Sequence, residues 1–497
     1  MAAMNLAEAI EVNARARPDD VALIAGLTER TYAHLATDVR AMAGRLALAG
    51  IARGAVVGVC LRDSADHLVA NYALARMGAI ILPMDWRWTE DERSRIAGHF
   101  RADLVLVEPN QPLPGAARAV PVADLPEAGA ADMPPVANGA DLPLLLSLSS
   151  GTTGRPKGPL ITHGQMLRRF WTHWINLGLN ANDRYVSATP LYFGGGRTFA
   201  MSVLFAGGTA VLFPPPFEAD ALCAELERVG ATATFLVPTQ LRKLLACGDN
   251  RLAPARRMRL LIASGAPLAN DERTEIETRL CANFVEYYAS TEGGGISIAT
   301  PTTRATRPAS VGRPVFGVCV EVVDADHTPL PPGAVGRLRY RGPGVAAGYH
   351  RDAQASGEAF REGWFYPGDL AEIDESGYIT LRGRAKDIII RGGVNIYPDE
   401  IETVLGSHPA VAEAAVFGRP SQRLGEEVVA FIAPSGTLDA ETLEAWCGER
   451  LAPYKVPATF IFTDALPRNS AGKVLKARLA ERAADATEPA SRRGRAT

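Results

Sequence analysis

The 497-residue sequence is sparing in cysteine and histidine and carries no marked excess of either charge. Its six cysteines include no CxxC pair and its eight histidines form no HExxH pattern, so nothing indicates a disulfide framework or a zinc site. Lysine plus arginine (52) nearly balance aspartate plus glutamate (55), which gives no general electrostatic reason to bind nucleic acid. No segment is apolar over the length of a membrane span, and the N-terminus lacks a signal-peptide pattern. We therefore expect a small-molecule ligand, no nucleic-acid partner, no membrane span and a cytoplasmic location.

Apolar residues are plentiful, at 47%, and the chain is longer than one hydrophobic core usually serves. Short runs of valine, isoleucine and leucine alternate with helix-like stretches, for example 32–49, 66–77, 164–176 and 219–229. This alternation predicts the α/β fold class, with sheets buried on both faces. From about residue 316, closely spaced strands and turns predict a β-rich subdomain. We expect a large N-terminal domain over 1–384, a small α+β C-terminal domain over 385–480 and a disordered tail over 481–497.

The segment SSGTTGRPKG at 149–158 is suited to holding phosphate, because glycines let backbone N–H groups approach an anion while hydroxyls and a lysine add donors. It is not a Walker loop, since Lys157 precedes Gly158 and the glycine spacing differs. The alternative is a flexible connection of low complexity. The candidate phosphate-binding residues are Ser149, Ser150, Gly151, Thr152, Thr153, Gly154 and Lys157.

The segment YYASTEGGG at 287–295 places an aromatic ring, hydroxyls and a carboxylate beside three glycines. Tyr288, Thr291 and Glu292 are the candidates for stacking, phosphate binding and Mg²⁺ binding. Magnesium prefers one or two carboxylates together with phosphate oxygens, so the combination favours a nucleotide with Mg²⁺. An ordinary turn is the alternative.

Later segments add further candidates. GWFYPGDL at 363–370 contains Asp369, whose carboxylate could accept hydrogen bonds from both hydroxyls of a ribose. GRAKDIIIRGGVNIYPDEIE at 383–402 lies at the predicted domain boundary and contains Arg384, Lys386 and the pair Gly392 and Gly393. PRNSAGK at 467–473 ends in Lys473. Each segment taken alone is also compatible with a solvated turn.

Together, and in this order, these five segments resemble the adenylate-forming superfamily, which contains acyl-CoA synthetases, fatty-acid–CoA ligases, stand-alone adenylation domains and firefly-type luciferases. The resemblance covers roughly residues 6–478. It implies a reaction in two halves. A carboxylate first attacks the α-phosphorus of ATP to release pyrophosphate, and the thiol of coenzyme A then displaces AMP.

The resemblance implies a role for each motif residue in the first half. Lys473 bridges the substrate carboxylate and the α-phosphate, the loop with Lys157 holds the β- and γ-phosphates, and Thr291 holds the α-phosphate. Glu292 binds Mg²⁺, Tyr288 stacks on adenine, and Asp369 with Arg384 holds the ribose. The nucleotide site further includes Ser264, Gly265, Ala266, Ala289 and Ser290.

For the second half, the resemblance implies that the small C-terminal domain is mobile and rotates to admit the thiol. Lys386 falls at the hinge position, and Gly392 with Gly393 would line the tunnel for the pantetheine arm of coenzyme A. A plain surface lysine is the alternative for Lys386.

The acyl pocket is harder to predict. In TPLYFGGGRT at 189–198, Phe193 stands where many relatives have histidine, and Gly194 follows. Arg197 would pair with a second carboxylate of the substrate or be a structural arginine. The spacing of the pocket residues does not identify the substrate. Its expected lining is Trp171, Phe193, Gly194, Arg197, Val237, Ser264, Gly265, Ala266 and Tyr287.

The sequence thus predicts a carboxylic acid–CoA ligase that uses ATP, Mg²⁺ and coenzyme A and acts through an acyl-adenylate. One alternative is an adenylating enzyme that loads a carrier protein. Another is a nucleotide-binding homologue without catalysis, against which the presence of Lys473, Asp369 and Glu292 argues. The sequence does not determine the oligomeric state, and a homodimer is one alternative.

Overall fold

A computed structural model describes residues 5–109, 111, 118–148, 156–391, 394–421, 423–468 and 474–485. The chain forms two compact units. The first comprises Met1–Glu321, Arg339–Pro367 and Gly377–Ile379, and the second comprises Val322–Leu338, Gly368–Ser376 and Thr380–Thr497. The predicted boundary between residues 384 and 385 falls within the second unit and stays a prediction.

The first unit contains a nine-stranded sheet whose central strands are parallel. Its strands, in spatial order, are Arg313–Pro314, Gly294–Ala299, Phe284–Ser290, Leu260–Ala263, Ala233–Leu236, Arg184–Ser187, Thr209–Leu212, Val21–Ala25 and Thr28–Thr31. A second, six-stranded sheet has the order Arg118–Pro121, Leu104–Val107, Val56–Cys60, Ile80–Pro83, Pro143–Leu146 and Leu160–Thr162. Their central strands are buried along their whole length, as predicted for sheets covered on both faces.

The predicted helices form close to their expected bounds, at Tyr32–Leu48, Ala65–Met77, His163–Asn176 and Ala219–Val229. The third of these begins at a capping box, in which Thr162 and Gln165 satisfy each other's backbone N–H groups. Further helices of the first unit are Glu8–Ala16, Glu90–His99, Gly194–Ala206, Pro238–Leu245, Ala253–Arg256, Asn270–Arg279, Pro301–Thr306 and Ala353–Ala359, with 3-10 turns at Val122–Asp124 and Ala130–Asp132.

The predicted β-rich segment is present from residue 319 onward. Its strands are Cys319–Val323, Gly336–Arg341, Phe360–Arg361, Trp364–Phe365, Asp369–Ile373 and Ile379–Arg384. Within the first unit Tyr340 lies opposite Phe365, and within the second Gly336 and Arg337 lie opposite Ala371 and Leu370.

The rest of the second unit has the predicted α+β pattern. Its strands are Ile389–Arg391, Val394–Ile396, Val411–Ser421, Gly425–Pro434 and Thr459–Phe462, and its helices are Ala385–Asp387 (3-10), Pro398–Gly406, Ala440–Gly448 and Lys476–Asp485. The last helix extends into the predicted tail, and residues from 486 onward lie outside the described part of the chain. The α/β fold class is confirmed.

None of the helices in the described ranges combines the length and the apolar character that crossing a bilayer requires. All six cysteines are unpaired.

Candidate functional site

Several predicted site residues meet at one edge of the nine-stranded sheet. The parallel strands Ala233–Leu236, Leu260–Ala263 and Phe284–Ser290 lie side by side, with Leu236 opposite Ala263 and Ala263 opposite Glu286. The residues that follow them therefore emerge at the same carboxyl edge, where open α/β sheets bind ligands. Ser264 and Ala266 are half-buried and Gly265 is exposed, so this edge is accessible.

Gly265 illustrates why this loop needs glycine. Its φ of +104° is a conformation that other residues rarely adopt, and a Cβ there would lie 3.8 Å from Cγ1 of Val237. The sheet edge thus brings together Gly265 and Val237, two residues of the predicted acyl pocket.

Phe193 and Gly194 lie at the start of the helix Gly194–Ala206. That start packs closely on the loop before it, because a Cβ on Gly196 would lie 2.2 Å from the carbonyl oxygen of Thr189. A Cβ on Gly194 would meet nothing within 4 Å. The space beside Gly194 is therefore open.

Arg197 is 1% exposed, and its Nη1 donates to the carbonyl oxygens of Leu191 (3.1 Å) and Tyr192 (3.0 Å). Burial, with the nearby charge of Arg169, lowers the pKa of Arg197 to about 9. In this conformation the guanidinium holds the loop that leads to Phe193 and offers almost no surface to a second carboxylate. These contacts therefore favour a structural role for Arg197 over binding of a second carboxylate.

Alternation along the strand Phe284–Ser290 separates the two adjacent tyrosines. Tyr287 is buried, its hydroxyl lies 2.7 Å from Oγ1 of Thr172, and burial raises its pKa to about 12. It packs against Phe199 and His173. Tyr288, on the other face, is half-buried. Tyr288 is therefore the aromatic ring that a ligand can reach.

The turn after this strand carries Thr291 and Glu292, and the side chain of Arg169 donates hydrogen bonds to its backbone carbonyl groups. Nη1 of Arg169 donates to the carbonyl oxygen of Thr291 (3.2 Å), Nη2 to that of Glu292 (2.7 Å) and Nε to that of Gly344 (2.9 Å). Arg169 is 6% exposed, and burial lowers its pKa to about 10, so the guanidinium remains charged at neutral pH. It is a backbone clamp on the predicted phosphate and Mg²⁺ ligands.

Within the same turn, Oγ of Ser290 accepts a hydrogen bond from the backbone N–H of Gly293 (2.9 Å) and contacts the hydroxyl of Tyr340. The half-buried Ala289 precedes it. Ser290 is thus committed to holding the turn.

The side chain of Glu292 is held by Tyr349, whose hydroxyl donates to Oε1 at 3.0 Å. Glu292 is 9% exposed. Nζ of Lys157 lies 5.1 Å from the centre of the Tyr349 ring, within cation–π range. Burial, followed by the charge of Glu292, raises the pKa of Tyr349. Lys157 and Glu292, predicted from motifs far apart in the sequence, are therefore brought to the same tyrosine.

In the second unit, Asp369 begins the strand Asp369–Ile373 and Arg384 ends the neighbouring strand Ile379–Arg384. Nε of Arg384 lies 2.9 Å from Oδ1 of Asp369, which is 9% exposed. The two predicted ribose residues are thus an ion pair. Lys386 is exposed in the 3-10 turn Ala385–Asp387.

Some predicted residues lie outside the described part of the chain, namely Ser149, Ser150, Gly151, Thr152, Thr153, Gly154, Gly392, Gly393 and Lys473. In the described ranges, no three His, Cys, Asp or Glu side chains gather as a metal-binding group. A Mg²⁺ ion bound through nucleotide phosphates and water needs only one or two carboxylates, so Glu292 alone fits that donor chemistry.

Arg169 and Tyr349 are the site residues that the sequence did not indicate. Arg169 lies inside an ordinary amphipathic helix, and Tyr349 lies at the end of a glycine-rich segment from which no role is predicted for it. An arginine within the helical pattern is the signal that the sequence offers, and it does not reveal which carbonyl groups the side chain reaches.

Comparison with known proteins places these features in a family. Residues 10–350 match the model described as AMP-binding enzyme, and residues 400–473 match that of the AMP-binding enzyme C-terminal domain. An indoleacetate–CoA ligase of Aromatoleum aromaticum is 33% identical, over 95% of this chain and 97% of the relative. A feruloyl-CoA synthase of an Amycolatopsis species is also 33% identical, over 94% and 97%.

Solved structures of o-succinylbenzoate coenzyme A synthetase from Bacillus subtilis have the same fold. The complex with its acyl-adenylate intermediate has a TM-score of 0.87 at 28% identity, covering 95% of this chain and 97% of that one. The complex with ATP and a magnesium ion has a TM-score of 0.88 at 28% identity, covering 95% and 98%. The chain therefore belongs to the AMP-binding enzymes, the adenylate-forming family that its motifs resemble.

Proposed function

We propose that this protein is an ATP-dependent carboxylic acid–CoA ligase, which converts an acid, ATP and coenzyme A into an acyl-CoA, AMP and pyrophosphate through an acyl-adenylate. The observation that carries the proposal is the meeting of Lys157 and Glu292 at Tyr349, beside the carboxyl edge of a parallel sheet. Binding of a nucleoside triphosphate requires a cation for the phosphates and a carboxylate for Mg²⁺. Relatives that match nearly the whole chain are CoA ligases.

The first half-reaction needs no general base, because a carboxylic acid with a pKa near 4 is already ionised at neutral pH. Positioning and charge stabilisation carry the step. We assign the β- and γ-phosphates to Lys157 and the serine, threonine and glycine residues of its loop, and the α-phosphate to Thr291. Mg²⁺, when bound by Glu292, would neutralise phosphate charge. Lys473 would stabilise the charge that develops as the carboxylate attacks.

The remaining nucleotide contacts are assigned by the chemistry of the residues. The accessible ring of Tyr288 would stack on adenine, with Ser264, Gly265 and Ala266 beside it on the sheet edge. The carboxylate of Asp369, oriented by Arg384, would accept hydrogen bonds from the ribose.

For the second half-reaction we propose coenzyme A as acceptor, entering past Gly392 and Gly393 after the C-terminal domain rotates at Lys386. The exposed side chain of Lys386 suits a hinge, because it can stay solvated while the backbone changes conformation.

The proposed domains are 1–384 and 385–480. A cytoplasmic location is part of the proposal and is supported by the six unpaired cysteines. Loading of a carrier protein and a homodimer remain predictions from the sequence.

The test is release of pyrophosphate and AMP across a panel of short, medium, long, aromatic and dicarboxylic acids, each with and without coenzyme A. The panel includes indoleacetate, ferulate and 2-succinylbenzoate, after the relatives. Turnover that depends on coenzyme A supports the ligase. Pyrophosphate exchange without a CoA thioester would instead indicate a carrier-protein acceptor. Absence of exchange with every acid, despite Mg²⁺-dependent binding of ATP, would favour a homologue without catalysis.

Substitution of Lys386 by proline should separate the two halves. Proline fixes φ near −65° and removes the backbone N–H, so it restricts the rotation that the hinge requires. We expect adenylation, measured as ATP–pyrophosphate exchange, to change little, while thioester formation falls roughly tenfold or more. Lys386→Ala is the control and should retain both activities. Equal loss of both halves in the proline variant would contradict the hinge.

A further inference from the structure

Tyr349 lies where three separate segments of the first unit meet. Its backbone bridges to Pro159, the backbone N–H of His350 donates to the carbonyl oxygen of Gly158 (2.8 Å), and that of Leu160 donates to Gly348 (3.3 Å). The segment that carries Lys157 is therefore tied by main-chain contacts to the segment that carries Tyr349. The third segment is the turn with Glu292.

The two ends of the Tyr349 side chain do different things. The hydroxyl donates to Oε1 of Glu292 at 3.0 Å, while the face of the ring has Nζ of Lys157 5.1 Å from its centre. The ring also packs edge-on against Phe360, with 5.4 Å between centroids. Phe360 can hold the ring in place without the hydroxyl, so the polar contact with Glu292 is not needed for packing alone.

The contact constrains how Glu292 can be used. A glutamate carboxylate on a flexible side chain samples several rotamers, whereas Mg²⁺ demands near-ideal octahedral geometry at short distances. A donor on Oε1 restricts the orientation of the carboxylate, and Oε2 is the oxygen that we assign to the cation. Partners of this kind orient metal ligands, and losing one typically weakens metal binding.

We infer that Tyr349 is a positioning residue for the proposed ligase reaction, whose hydroxyl orients the Glu292 carboxylate for Mg²⁺ and whose ring places the Lys157 ammonium for the ATP phosphates. The inference rests on the proposed function. It assigns two functions to two chemical parts of one side chain, and these can be removed one at a time.

Tyr349→Phe removes only the hydroxyl. A lost hydrogen bond to a charged acceptor should raise the Mg²⁺ concentration for half-maximal pyrophosphate exchange about tenfold, with the KM for ATP at saturating Mg²⁺ nearly unchanged. Tyr349→Leu also removes the ring, so the KM for ATP should rise several-fold as well. Calorimetric titration of ATP at several Mg²⁺ concentrations should show the same two patterns in affinity, independently of turnover.

Tyr454→Phe is the matched control, since Tyr454 is 44% exposed in the second unit. A second check is the double variant with Glu292→Gln, in which the loss of the hydroxyl should add little because its acceptor charge is gone. An unchanged Mg²⁺ dependence in Tyr349→Phe, whatever its thermal stability, would overturn the inference. A wild-type protein that binds ATP with Mg²⁺ but adenylates no acid would instead overturn the proposed function, and the binding titrations would still decide the role of Tyr349.

Discussion

Lys473→Met should lower ATP–pyrophosphate exchange about a hundredfold or more, because it removes the charged donor assigned to the transition state of adenylation. The substrate carboxylate is already ionised at neutral pH. A general base elsewhere in the site therefore would not compensate for the lost charge stabilisation. Thioester formation from a chemically prepared acyl-adenylate should be nearly unaffected, since the proposal gives Lys473 a role in the first half-reaction only. The two assays together separate loss of one step from loss of the fold.

Lys455→Met is a suitable control for this variant. Lys455 lies in the same C-terminal region, outside the predicted motifs, and is paired at 2.7 Å with Glu400, which is not among the predicted site residues. Its substitution should leave both half-reactions within about twofold, as expected when a surface ion pair contributes little. A Lys473→Met protein with normal exchange would show that the motif PRNSAGK does not supply the adenylation lysine.

Arg169→Met should impair both stability and adenylation. The substitution keeps an apolar stem of similar length but leaves the buried carbonyl groups of Gly344 and the Thr291–Glu292 turn without their charged donor. Bonds of this kind are worth about 1.5–3 kcal/mol each, but the substitution also removes the cost of burying the guanidinium, so we expect a net loss of about 3 kcal/mol in the first unit, visible as a lower thermal midpoint. A shift of about 1 Å in the turn would reduce adenylation up to about a hundredfold.

Arg168→Met provides the matched control, because Arg168 is the exposed neighbour on the same helix. It should change neither the thermal midpoint nor the exchange rate appreciably. Arg169→Lys retains the charge but cannot reach three carbonyl groups at once, so an intermediate phenotype is expected. An Arg169→Met protein with normal stability and activity would show that the clamp does not position the turn.

Much of the fold could be predicted because it depends on local patterns. Runs of β-branched residues gave the buried parallel strands, and three- and four-residue apolar spacing gave helices such as Ala219–Val229. The two units were less predictable. The chain leaves the first unit after Glu321 and returns to it at Arg339. Hydrophobic periodicity does not indicate where a chain passes from one unit to another.

The sequence by itself determined the family and the motif residues, including Lys157, Glu292 and Asp369. These motifs are short, and each predicts a local chemistry such as a glycine that would admit phosphate or a carboxylate that would bind a hard cation. Only the tertiary structure decided how those residues are supported.

The supporting contacts join residues far apart in the chain. Tyr349 reaches Glu292 across 57 residues, and Arg169 reaches the carbonyl group of Glu292 across 123. Such contacts depend on which strands are adjacent and on which buried carbonyl groups remain without a donor. Packing of the whole unit settles both, and no spacing along the sequence expresses them.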